Sequence, residues 1–117
     1  MAINDDMGTL FYGTTPYPLD DRLLAHLQVI VSMKLRRGEN FLITWRNPTA
    51  IGSGRQSLWI DNGLHLAFAY DGSKIPTLNR EWIETMSTSA GTNFGLQLTD
   101  EQGNLLNIPV HPSEPKA

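Results

Sequence analysis

The chain has 117 residues and a mass of 13.1 kDa, the length of one domain, and a chain of this mass buries roughly two-thirds of its unfolded surface, enough for a core without metal or disulfide. Its 40% hydrophobic and 18% charged residues exclude a disordered chain, and the absence of cysteine excludes disulfides, thiolate nucleophiles and cysteine zinc sites. A net charge of −3 and a pI near 5.5 argue against a dedicated nucleic-acid binder, which needs a basic excess to neutralise phosphates.

In chain order, Met1-Ala2-Ile3-Asn4-Asp5-Asp6 is acidic and polar, the reverse of a secretion signal. No apolar run nears the roughly 20 residues that span a bilayer. The expectation is a cytoplasmic protein without membrane contact. Gly8 to Tyr12 reads as a short strand, ended by Gly13-Thr14-Thr15-Pro16. A helix opens at Asp20, a good N-cap, with Asp21 in its first turn where the dipole favours a carboxylate. Leu23, Leu24, Leu27, Ile30, Val31 and Leu35 recur at three and four residues as one apolar stripe. Val29-Ile30-Val31 alone would suit a strand, but the stripe and both caps outweigh it. Lys34, Arg36 and Arg37 occupy the last turn and Gly38 is the stop signal.

β signals follow. Phe41, Ile43 and Trp45 alternate with Leu42, Thr44 and Arg46, and Asn47-Pro48 ends the strand. After the loop Thr49 to Gly54, Gln56 to Tyr70 reads as a hairpin turning at Asp61-Asn62-Gly63. A two-residue loop would mix polar and apolar residues on each face. A three-residue loop with Gly63 left-handed opposes Ile60 to Leu64 and Leu58 to Leu66 and keeps one face apolar. That register places Leu58, Ile60, Leu64, Leu66, Phe68 and Tyr70 inward, and Trp59 beside His65 on the outer face, flanked by Ala67 and Ala69. A second helix starts at Asn79, with Leu78 and Ile83 placed for a hydrophobic staple. Trp82, Ile83, Met86 and Ala90 form its buried face, and Gly91 ends it. Gly95 to Thr99 reads as a strand, and Leu105 to Val110 as a candidate final strand.

Two helices are too few to cover both sides of a sheet. The expected fold is therefore α+β: one antiparallel sheet of about five to six strands with both helices packed on one face, in the order β-α-β-β-β-α-β. Residues 1–110 form the expected single domain and 111–117 a flexible tail.

Met7-Gly8-Thr9-Leu10-Phe11-Tyr12-Gly13, Asp20-Asp21-Arg22-Leu23-Leu24-Ala25-His26-Leu27-Gln28, Lys34-Leu35-Arg36-Arg37-Gly38-Glu39, Gly52-Ser53-Gly54-Arg55 and Leu78-Asn79-Arg80-Glu81-Trp82-Ile83-Glu84 occur as separated blocks in this order. Together they resemble a family of small, uncharacterised actinobacterial proteins whose members are often labelled automatically as ATP-dependent DNA ligases. The resemblance covers Met7 to about Thr99. It implies that Met7-Gly8 is the family's usual start and that the six preceding residues are an added leader, and the extension from Asp100 departs from it. A nucleotidyl-transferring ligase needs a lysine nucleophile two residues before an Asp-Gly pair and an arginine two residues after it. Around Asp71-Gly72 those positions hold Ala69 and Lys74. Alanine cannot attack a phosphate, so ligase activity is not expected.

Other chemical signals are weak. His26, His65 and His111 lie on a helix, a strand and the tail, without metal-ligand spacing, and read as ordinary surface or half-buried histidines. Gly52-Ser53-Gly54-Arg55 fits neither dinucleotide nor P-loop patterns and reads as a flexible connection. Ser53 and Ser57 have no placed His–Asp partner. No catalytic residue, cofactor or metal is expected.

The basic residues have two readings. Lys34, Arg36 and Arg37 sit where they complement the helix dipole, worth roughly 0.3–1 kcal/mol. Alternatively Arg22, Lys34, Arg36, Arg37, Arg46 and Arg55 make a contact surface for an anion or nucleic acid. Trp59, with His65, Ala67 and Ala69, suggests a flat, mildly apolar platform of the kind that marks association, and a two-fold dimer would cover it. The favoured expectation is a non-enzymatic interaction module that self-associates through its sheet face. A nucleic-acid-associated accessory domain is the alternative.

Overall fold

A computed structural model describes residues 7–48 and 54–108. Strand β1 (Met7–Tyr12) turns at Gly13, whose φ is 63°, into β2 (Thr15–Asp20). The pairing is antiparallel from Met7 opposite Asp20 to Tyr12 opposite Thr15. Where Gly13 to Pro16 was expected only to end a strand, the chain doubles back as a strand. Pro16 and Pro18 are tolerated because they alternate along an edge strand, where a missing N–H faces the open side.

Helix α1 (Asp21–Arg36) follows directly. The Asp20 carboxylate accepts the Leu23 N–H at 2.8 Å, satisfying one orphan donor of the first turn. At the other end Gly38, with φ 75°, donates to Leu35 O at 3.0 Å and Glu39 donates to Lys34 O at 2.9 Å. This is the Schellman closure, and it requires a left-handed residue where the sequence provides glycine.

Strands β3 (Phe41–Arg46) and β4 (Arg55–Ile60) pair antiparallel, with Phe41 opposite Ile60 and Arg46 opposite Arg55. Strand β5 (Leu66–Ala69), helix α2 (Arg80–Ala90) and the short β6 (Leu96–Gln97) complete the order. Asn79 caps α2, its side chain accepting the Trp82 N–H at 3.3 Å. Bridges at Thr99–Leu105 and Arg46–Asn107 stand where a final strand was a candidate; Pro109 and Val110 lie outside the described residues, as do Gly52, Ser53, His111 and the rest of the expected tail.

The fold is α+β with two helices and six strands, but not one sheet. There are two three-stranded sheets, ordered β2-β1-β5 and β4-β3-β6, and β6 runs parallel to β3. The expected β4–β5 hairpin does not form. After Ile60 the Asp61 carboxylate accepts the Gly63 N–H at 2.7 Å and Asp61 O accepts from Leu64 N at 3.3 Å. Gly63 is not left-handed, so this turn sends the chain across to the other sheet, where Leu66 to Ala69 pair with Tyr12 to Thr9. The sheets meet at a seam, where the Tyr12 hydroxyl donates to Trp59 O at 2.8 Å. Within the first sheet, Gly13 N donates to His65 O at 2.8 Å and extends the β1–β5 ladder.

One core serves both sheets. Leu10, Tyr17 and Leu19 from the first face Leu23, Leu24, Leu27 and Ile30 of α1, while Phe41, Ile43, Trp45, Leu58 and Ile60 from the second join Trp82, Met86 and Leu96. Tyr17 and Trp45 meet edge-on across the two sheets, ring centroids 5.4 Å apart. Each buried aliphatic side chain contributes about 1.5–3 kcal/mol relative to exposure.

His26 is completely buried, where a surface or half-buried histidine is the expectation from sequence. Asn79 N–H donates to its Nε2 at 2.8 Å, so the ring proton sits on Nδ1 and is donated to Arg22 O at 2.7 Å. The ring also packs on Trp82, centroids 4.5 Å apart. This residue fastens α1 to the N-cap of α2. Replacing it by leucine strands a buried N–H, and His26→Leu is expected to lower unfolding free energy by about 2 kcal/mol in urea titration.

Candidate functional site

Alternation along β3 and β4 sends Phe41, Ile43, Trp45, Leu58 and Ile60 to the core. The opposite face carries Leu42 across from Trp59, Thr44 across from Ser57, and Arg46 across from Arg55. No helix covers this face among the described residues. Trp59 is 48% exposed on it.

The segment after α2 adds a second aromatic. Thr44 Oγ1 lies 2.7 Å from Ser57 Oγ and donates to Phe94 O at 2.9 Å, which buries the Thr44 side chain and pins residue 94 on the face. Gly95 then passes so close to β3 that a Cβ there would stand 2.5 Å from Leu42 Cβ. The Phe94 ring remains 60% exposed, with the Arg55 guanidinium 6.0 Å from its centroid. Arg46 Nε donates to Asn107 Oδ1 at 3.2 Å. Two exposed aromatics, a half-buried leucine and two arginines share one rigid sheet face. That composition, rich in aromatics and arginine, is that of interface centres.

The residues expected to surround Trp59 are elsewhere. Ala67 and Ala69 lie opposite Phe11 and Thr9 on the outer face of the other sheet, and exposed His65 precedes them. The correction has one cause: β5 joins β1, so the platform expected from Trp59, His65, Ala67 and Ala69 is split between two sheets. Phe94 takes their place beside the Trp59 strand pair. Sequence reasoning passes over it because its exposure depends on Gly95 crossing Leu42, a contact between distant segments that no local pattern records.

The six expected basic contacts also separate. Arg46 and Arg55 belong to the Trp59 face. Lys34 pairs with Glu39 at 3.3 Å and stands 5.8 Å from the centre of the Phe41 ring. Arg36 and Arg37 are exposed at the end of α1. Arg22 is engaged within the molecule. Its Nε and a terminal nitrogen donate to Glu101 at 2.7 and 3.0 Å, and its other terminal nitrogen donates to Thr77 O at 2.7 Å. Asn79 Nδ2 adds a bond to Glu101 at 2.9 Å.

Hydrogen bonds from Arg22 and then Asn79 hold the Glu101 carboxyl down at about 2. A carboxylate whose folded pKa is depressed contributes stability above its unfolded value of 4.5, lost as pH falls toward 2. Much of the attraction is screened because the pair is partly exposed. Glu101→Gln is therefore expected to flatten the acid limb of the stability–pH curve between those values while changing neutral-pH stability by under about 1 kcal/mol, measured by urea titration at each pH.

Asp21, expected to act within its helix, reaches across the chain. Its buried carboxylate accepts Asp71 N–H at 3.0 Å and Gly72 N–H at 2.7 Å. Gly8 makes room for it: a Cβ at position 8 would lie 2.6 Å from Asp21 Oδ1. The Asp71-Gly72 pair, the position of a ligase motif, thus anchors a loop with its amides.

Among the described residues no group of three or more metal-ligating side chains occurs, and no helix is long and apolar enough to cross a membrane. No curated protein and no solved structure matches the chain. The family described as a domain of unknown function (DUF7882) matches residues 7–101, an interval that includes β1 through β6, Trp59, Phe94 and the Arg22–Glu101 pair. With most of its length in that match, the chain belongs to the DUF7882 family.

Proposed function

We propose that this protein is a small, non-enzymatic, cytoplasmic interaction module that self-associates as a dimer through the outer face of β3 and β4. The carrying observation is Trp59, 48% exposed beside Leu42 on a rigid sheet, with Phe94 exposed to 60% on the same face. Exposed aromatics on a preformed surface contribute strongly to association because little side-chain entropy is lost when they are covered. A two-fold axis through the face would stack each aromatic group on its copy's sheet. Ala69 in place of a lysine nucleophile, and Asp71-Gly72 committed to Asp21, support a role without nucleotidyl transfer. Light scattering across a dilution series tests the dimer: the mass should fall toward the monomer on dilution, and a strict monomer at every concentration contradicts it.

A second reading is favoured by Arg46 and Arg55 on the same face. Exposed rings and arginines on one face form a stacking platform for single-stranded nucleic acid. The net charge of −3 weighs against it. Fluorescence anisotropy with single-stranded and duplex DNA at low salt separates the two. Micromolar binding that competes with dimerisation supports the second, and its absence removes it.

A further inference from the structure

A groove of about 580 Å3 runs between the solvent side of α1 and the segment joining β5 to α2. Ala25, Val29 and Met33 line one wall and Ile75, Pro76 and Leu78 the other. The helix wall continues to Arg36, three turns beyond Ala25, so the groove follows α1 for about 16 Å at 1.5 Å per residue. Its second wall is held in place. The Asp21 carboxylate grips the amides of Asp71 and Gly72, and the Tyr70 hydroxyl donates to Gln28 Oε1.

Two observations identify what belongs there. Ile75 is 91% exposed, Leu78 46% and Met33 38%, so the apolar walls stand open along the rim. A small ligand needs most of its surface enclosed and would leave Ile75 in water, whereas a second helix laid on the groove would cover it. The charge is one-sided: Arg36 and Lys74 line the groove, no carboxylate does, and neither cation makes a hydrogen bond or ion pair among the described residues. This holds on a chain whose net charge is −3. We propose that the groove docks an acidic amphipathic helix of a partner protein, its apolar face between α1 and Ile75 and its carboxylates against Arg36 and Lys74. The site is separate from the Trp59 face and does not depend on it.

The test uses a fluorescein-labelled four-turn helical peptide with leucines at i, i+3, i+4 and i+7 and glutamates elsewhere, and a twin with lysine for every glutamate. Anisotropy should show saturable, salt-sensitive binding of the acidic peptide, at least about 10-fold tighter than the basic one. The double variant Arg36→Glu, Lys74→Glu should invert that preference. Ile75→Ser, which removes the apolar wall without adding charge, should weaken both peptides about 10-fold, and because Ile75 is exposed the circular dichroism of the variant should match the parent. Trp59→Ala should leave peptide binding unchanged, which separates this outcome from failure of the dimer. Absence of saturable binding by the acidic peptide, equal binding of both peptides, or binding of dodecanoate with neither peptide binding would each overturn the proposal.

Discussion

Gly95→Ala is expected to destabilise the protein by about 2–5 kcal/mol, a large share of the 5–15 kcal/mol typical of a domain. Two costs combine. The residue sits at φ +81°, where a side chain costs about 1–2 kcal/mol. Its new Cβ would also stand 2.5 Å from Leu42 Cβ and 2.7 Å from Leu42 O. Leu42 cannot retreat, because β3 is the central strand of its sheet, paired with β4 on one side and β6 on the other. Such overpacking adds about 1–3 kcal/mol. Gly103→Ala is the control: its φ is +93°, but nothing lies within 4 Å of the added carbon, so only the first cost applies. Urea titration of both variants should give a deficit for Gly95→Ala about 1–3 kcal/mol larger. Equal deficits would mean that β6 does not approach β3 as described. Since Gly95 also positions Phe94, the same variant should weaken self-association.

Trp59→Ala should behave in the opposite way, with little effect on folding and a large one on assembly. The indole lies outside the core, so unfolding free energy should change by less than about 1 kcal/mol. At the centre of an interface, loss of a tryptophan costs 2 kcal/mol or more, so the dimer dissociation constant should rise at least about 30-fold. Ala67→Arg provides the contrast. It places a charge on the outer face of the other sheet, opposite Phe11, and should leave the dimer intact. If instead Ala67→Arg dissolves the dimer and Trp59→Ala does not, the association face has been assigned to the wrong sheet.

What the sequence discloses here follows the range of the interaction concerned. Both helices are legible because their determinants are local: the Asp20 and Asn79 caps, the Leu23-to-Leu35 stripe, and a glycine at position 38 that the closing turn requires. The alternation of β3 and β4 identifies their core residues for the same reason. Strand partners are another matter. Leu64 to Tyr70 would fit against β4 by period alone, and the choice of β1 instead depends on Leu10 and Tyr12, more than fifty residues away, offering an equally apolar row with a free edge. Pro16 and Pro18 conceal β2, since a proline pair argues for a turn until its place on a sheet edge is known. The site was legible in halves. Trp59, Arg46 and Arg55 are visible in the strand pattern, whereas Phe94 joins them only through the crossing at Gly95. Arg22 looks like a free surface cation until Glu101, 79 positions later, is found against it.

The association face is tested most directly by the environment of the indole itself. The chain has three tryptophans, of which Trp45 and Trp82 are buried, so 5-fluorotryptophan labelling gives three fluorine signals, one of them assigned to Trp59 by its loss in Trp59→Phe. Across a dilution series that signal should move with concentration and lose its solvent-isotope shift as the dimer forms, while the other two stay fixed. A Trp59 signal that remains solvent-exposed and unshifted at concentrations where light scattering reports a dimer would contradict the account.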